Sequence, residues 1–253
     1  MRHAPLQPTR RFLDVVPDAT RRRFARATLV RRLALLELRA RIGCGAQGVA
    51  RRVRHDLPPD VRRGFEVLHP SVPIAAPDAL AGRERVALAD ALTRIWFAGL
   101  RAPEGIFVDL RLATVRKSDN AERTVWAPGG SWYTLADGFR RSLIALYADR
   151  FDHVARSAHV GETRPTLLVS EPTGVDRERS RAFCDHLVDL EPGRATARLA
   201  LAFEALGRSA TSTDRALRPD LAVVAVALST LAESLDRLGV APDAAGAFRR
   251  VFP

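Results

Sequence analysis

Residues Arg41–Ala50, with the sequence RIGCGAQGVA, give the first indication of a fold in this 253-residue chain. Its three glycines, Gly43, Gly45 and Gly48, have the spacing G-x-G-x-x-G. Glycine lacks a Cβ and tolerates positive φ, so this spacing is typical of a tight turn whose backbone cradles phosphate groups. A glycine hinge between two helices has the same pattern, and the flanking residues must therefore decide between the two.

The residues on either side of these glycines fit a protein-kinase loop better than a dinucleotide-binding loop. A dinucleotide-binding fold needs a helix of about 12 residues after the third glycine and an acid about 20 residues further on. Here the segment after the third glycine, residues 49–57, is short and basic and is followed by two prolines. A protein-kinase loop needs one strand before it and two after it. Residues 35–42, 50–55 and 64–70 can form those strands.

Over about residues 34–207 the chain resembles the bacterial Ser/Thr protein kinase family. Residues 65–70, Phe-Glu-Val-Leu-His-Pro, are similar to the family's third-strand motif A-V-K-V-L-H-P. Residues 127–131 look like its hinge, and residues 189–197 are similar to its late D-P-x-x-R-P-T-A turn. No one of these matches decides the question alone, and their order along the chain carries the resemblance.

The resemblance implies an α+β, protein-kinase-like fold in three parts. Residues 1–33 would be a basic N-terminal extension, and residues 34–135 would form a small N-lobe built on an antiparallel sheet. Residues 136–253 would form a shortened helical C-lobe.

One of two acidic residues near the loop falls at a position that phosphate chemistry does not favour. Glu66 stands where the family has its phosphate-binding lysine, and Glu84 stands where the lysine's glutamate partner is expected. Two close carboxylates would repel phosphate, and one of them would be protonated or would recruit an arginine. The resemblance therefore implies a degenerate nucleotide site made of Gly43, Gly45, Gly48, Glu66 and Glu84, with weakly bound ATP as its one conceivable cofactor and no metal.

The catalytic loop of the family is also poorly matched. The nearest stretch, residues 160–166, has Glu162 in place of the catalytic aspartate, and a second alignment puts residues 105–111 there, with Asp109 as the base. No D-F-G motif follows either stretch. We therefore predict a catalytically inactive, pseudokinase-like interaction module. The alternative enzyme is an unconventional ATP-dependent phosphotransferase that uses Glu162 or Asp109.

Charge is unevenly distributed along the chain. Residues 1–63 hold 16 of the 40 basic residues and 5 of the 29 acids, a net charge of +11, so the remaining residues hold 24 of each and are neutral. A basic segment attracts acidic proteins, nucleic acids and anionic lipids by the same Coulombic term, or it is simply a solvated surface. An acidic protein partner fits the interaction module, and a nucleic-acid-binding helical protein is the third interpretation.

Other features set limits on location and on metal binding. No apolar run approaches the ~20 residues of a membrane span and no apolar leader opens the chain, so we expect a cytoplasmic protein. Cys44 and Cys184 are too few for a disulfide framework or a thiolate cage. His153 and His159 lie six residues apart and do not share one helix face, so no metal site is expected.

Periodicity predicts mainly helices after residue 80. Apolar residues recur at helical spacing in five segments: 83–100, 134–151, 176–190, 194–206 and 219–238. Residues 221–228 are apolar on all sides and should be buried. Alternation of side chains predicts a strand at residues 106–112, with residues 123–126 returning antiparallel to it.

Overall fold

The computed structural model describes residues 80–103, 105–111, 115–117, 124–126, 132–151, 174–209 and 220–253. Helices account for about three quarters of these described residues. In chain order the helices are α1 (Gly82–Arg101), α2 (Asp137–Phe151), α3 (Gly174–Phe183), a 3-10 helix (Cys184–Leu187), α4 (Ala195–Ser209), α5 (Asp220–Leu238) and α6 (Ala244–Val251). The strands are β1 (Ile106–Phe107), β2 (Val115–Lys117), β3 (Thr124–Trp126) and β4 (Trp132–Tyr133).

The predicted kinase-like α+β fold is wrong. Its small lobe requires a multi-stranded antiparallel sheet, whereas the described residues contain two separate pairs of strands, each two or three residues long. β1 pairs with β4 and β2 pairs with β3, both antiparallel. The three strands predicted at 35–42, 50–55 and 64–70 lie outside the described residues, as do Gly43, Gly45 and Gly48.

Helix α5 lies in the middle of the helical core, as its composition predicts. Residues 220–232 are all buried, and Val223, Val226 and Leu228 are at most 1% exposed although they lie on different sides of the helix. A helix that is apolar all round is stable only when other elements enclose it. α5 packs mainly against α4 and α1, and α6 packs against α1 and α2.

An aromatic cluster joins α1, α2 and α6. The ring of Phe97 meets the rings of Tyr147 and Phe248 edge-on, with centroids 5.2 and 5.3 Å apart. Phe151 lies parallel to Tyr147 at 5.8 Å. Edge-to-face and offset pairs of this kind add about 0.5–1.5 kcal/mol each to the effect of burying the rings. One hydrophobic core runs from Leu80 through this cluster to Phe252, so it includes residues on both sides of position 135.

Glycine is required where α1 gives way to β1. Gly105 has φ +125, and a Cβ at this position would lie 2.2 Å from the carbonyl oxygen of Tyr133. Any other residue would combine backbone strain with a steric clash. The close approach lets Ile106 pair with Tyr133, and the Tyr133 hydroxyl donates to Asp220 at the start of α5 at 3.0 Å.

The chain after β1 lies on a helix and not on another strand. The Leu110 N–H donates to the Thr230 hydroxyl at 3.0 Å, and the Ser234 hydroxyl donates to the Leu110 carbonyl at 2.6 Å. Residues 105–111 are all buried. Leu112 lies outside the described residues, and of residues 106–111 only Ile106 and Phe107 therefore form a strand. Thr124–Trp126 pairs instead with Val115–Lys117.

Candidate binding cleft

Five of the predicted site residues lie outside the described residues, and their suggested roles remain predictions. They are Gly43, Gly45, Gly48, Glu66 and Glu162.

Glu84 lies in the first turn of α1, where it caps the helix. Its carboxylate accepts a hydrogen bond from the Ala81 N–H at 2.7 Å. The first amides of a helix have no partner within the helix, and an acidic side chain here is also favoured by the helix dipole. Glu84 therefore has a clear structural role in this conformation.

Asp109 is engaged by a neighbouring arginine. Arg111 Nε donates to one Asp109 oxygen at 2.8 Å, and an Arg111 terminal nitrogen donates to the other at 2.7 Å. Burial lowers the pKa of Arg111, but the hydrogen bond and charge of Asp109 outweigh it, so that this pKa is raised above its ordinary value. Asp109 is 7% exposed and both of its oxygens are used within the chain. A general base must reach a substrate hydroxyl, whereas this arrangement is that of a buried structural ion pair.

An open cleft of about 280 Å³ lies where the end of α2, the 3-10 helix and α4 meet. Both walls carry charged side chains. It is lined by Arg150, Ala182, Asp185, His186, Val188, Asp189, Arg198 and Ala202. Two arginines and two aspartates give these residues a net charge of zero when His186 is neutral.

The two arginines of the cleft are held differently. Arg150, on the last turn of α2, forms an ion pair with the Asp185 carboxylate. Arg198 donates from one terminal nitrogen to the Val188 carbonyl at 2.7 Å and to the Asp185 carbonyl at 3.3 Å. These carbonyls lie at the end of the 3-10 helix, and the Asp185 carbonyl also accepts a hydrogen bond from the Val188 N–H at 3.0 Å. Arg198 thus fixes the turn while its charge faces neutral groups.

His186 lies on the inner side of the cleft and is 4% exposed. Its Nδ1 is 2.6 Å from the Phe183 carbonyl, which can only accept, so Nδ1 carries the proton. Nε2 is then an acceptor for the Tyr147 hydroxyl, 3.4 Å away. Burial lowers the pKa of His186 to about 4; the hydrogen bond to Phe183 opposes this change and the charge of Arg198 adds to it. The ring is therefore neutral at pH 7.

The remaining reactive group near the cleft is inert. Cys184 is fully buried, and burial raises the pKa of its thiol well above the ordinary value. Only the thiolate is a strong nucleophile or metal ligand. The arrangement can recognise a charged partner, but it does not present an activated nucleophile.

The turn that leads from the cleft into α4 contains the kinase-like segment 189–197. Asp189 has φ +46 and Gly193 has φ +75, and both values are typical of turns. α4 then begins at Ala195, whose N–H donates to Asp236 of α5 at 2.6 Å, and the Thr196 N–H donates to the other Asp236 oxygen at 2.9 Å. The segment is thus the start of a helix capped by α5.

Sequence reasoning missed the cleft because its residues come from three separate segments. Arg150 ends one helix, residues 182–189 form the 3-10 helix and its flanks, and Arg198 belongs to the next helix. No spacing relates Arg150 to Arg198 along the chain. The only local signal was the Asp185-His186 pair, which by itself is unremarkable.

The described residues contain neither a cluster of metal ligands nor a membrane-spanning helix. In them, no three His, Cys, Asp or Glu side chains are grouped so that they could hold a metal ion. Nor does any helix in this part of the chain have the length and apolarity to cross a membrane.

No protein-family model, curated protein or solved structure matches this chain. The comparisons therefore give no support to the resemblance to protein kinases.

Proposed function

We propose that this protein is a non-catalytic binding module whose positively charged segment, residues 1–63, attaches it to an acidic protein. The observation that carries the proposal is the distribution of charge: residues 1–63 have a net charge of +11, and the remainder of the chain is neutral. Such a concentration of positive charge attracts a negatively charged partner and raises the rate at which the two associate.

The described helices support this proposal by the way they use arginine. Arg101 donates to the Val251 carbonyl at 2.7 Å, Arg140 donates to the Leu100 carbonyl at 3.2 Å, and Arg181 pairs with Asp149. These arginines bind oxygens of their own chain. The excess positive charge that could recruit a partner therefore lies in residues 1–63.

The sequence of the basic segment favours a protein over a nucleic acid. Residues 24–38 contain seven large apolar residues beside three arginines, and residues 1–63 have no lysine, asparagine, tyrosine or tryptophan. Arginine can read guanine, but asparagine and lysine, which also read bases, are absent from this segment, and its phenyl rings that could stack on bases are those of Phe12 and Phe24. An apolar and arginine-rich segment instead matches a protein surface, which offers both carboxylates and apolar area.

Nucleic acid is the second candidate, on the strength of arginine density alone. Sixteen arginines in 63 residues could contact many phosphates, because the guanidinium group binds phosphate and carboxylate equally well in a bidentate manner. Binding to phosphates would weaken steeply with salt, since it releases counterions.

Binding of the full-length chain to labelled poly-L-glutamate, mixed-sequence duplex DNA and single-stranded RNA tests the proposal, over about 50–200 mM salt. The triple variant Arg21→Glu, Arg22→Glu, Arg23→Glu should weaken binding to poly-L-glutamate by at least about tenfold. The matched control is Arg141→Glu, Arg194→Glu, Arg249→Glu, which changes the net charge equally at exposed positions, two of them in helices and one directly before α4.

The outcomes separate the candidates. Loss with the first triple variant and not with the control supports the proposal. Equal loss with both would mean that only net charge matters, and tighter binding of DNA or RNA than of poly-L-glutamate at the same salt would establish the second candidate. Either result, or no binding to any probe, overturns the proposal.

A further inference from the structure

We draw no further inference here: the strongest candidate, the open charged cleft where the end of α2, the 3-10 helix and α4 meet, belongs to the site already described, and nothing in the structure shows what ligand or partner would cover it.

Discussion

Two Arg–Asp pairs in this molecule have the same chemistry and different surroundings. Arg111 and Asp109 have side chains that are each 10% exposed, and the Leu110 main chain between them bonds Thr230 and Ser234 of α5. We call this pair and these hydrogen bonds the buried network. Arg150 and Asp185 lie in the cleft with side chains that are 30% and 36% exposed. Water can replace a lost partner in the cleft but not in the buried network. Similar contacts should therefore stabilise the fold in one region and remain available for recognition in the other.

The largest expected difference comes from removing one aspartate from each pair. Asp109→Ala leaves the Arg111 charge buried without its bidentate partner and should lower the free energy of unfolding by about 3–5 kcal/mol. Asp185→Ala should cost about 1 kcal/mol or less, because its arginine is partly solvated. Urea unfolding of both variants measures the difference. Equal losses in the free energy of unfolding would show that the exposure of an ion pair does not determine how much it stabilises this fold.

Acid should destabilise the cleft side of the core through His186. The pKa of His186 is about 4 in the folded protein and 6.5 as its ordinary value, so the unfolded chain binds the proton first. The stabilising effect is fully present above pH 6.5 and is lost as the pH falls towards 4. At about 1.4 kcal/mol for each pKa unit, the total loss is about 3 kcal/mol.

Urea unfolding at several pH values between 7 and 4 measures this loss. Other groups titrate in the same window, so the comparison is with His186→Gln, which cannot be protonated there. The variant should show a shallower dependence of stability on pH. Identical slopes for the two proteins would contradict the assigned cause.

Within the buried network, Thr230→Val should cost about 2 kcal/mol. Valine has nearly the shape of threonine but leaves the buried Leu110 N–H without an acceptor. Thr93→Val in α1 is the control, because the Thr93 hydroxyl is also fully buried but bonds only the Ala89 carbonyl of its own helix. Thermal and urea unfolding measure the free energy of unfolding of both variants. If both lost the same amount, the contact between α5 and residues 108–111 would stabilise the fold no more than a hydrogen bond within one helix does.

The smallest expected effect is at the contact that links the two regions. Asp236 of α5 caps α4 through Ala195 and Thr196, and Asp236→Ala should cost about 1 kcal/mol. In the Asp236→Ala variant, hydrogen exchange should become faster in the first turn of α4 than it is in the wild-type protein, with a smaller change in α5. Unchanged exchange at Ala195 and Thr196 would show that the cap is not needed to hold that turn.

The helices could be predicted from the sequence, and the tertiary contacts could not. Periodic apolar residues placed α1, α4 and α5 to within a few residues, because burial on one face or on all faces leaves a regular pattern. The segment after β1 also alternates, but both of its faces are buried and its polar partners, Thr230 and Ser234, lie about 120 residues away. Nothing local marks a strand-like segment whose partner is a helix.

The weight given to a glycine pattern explains the wrong fold class. Residues 41–50 and 64–70 fitted a kinase lobe, and later segments were then interpreted by that scheme. Residues 189–197 illustrate the result, because the segment that resembled a kinase turn is a helix start capped by Asp236. The cleft itself depends on three segments meeting in space, which spacing along one chain does not encode.

The enclosed position of α5 also affects how the chain is made. Its neighbours include α1, which precedes it by more than a hundred residues, and α6 follows it near the end of the described chain and packs on α1. During translation the apolar side of α1 therefore leaves the ribosome well before the helix that covers it. Contacts so distant in sequence close late and slowly, and the nascent polypeptide should depend on chaperones until residues 220–251 have emerged.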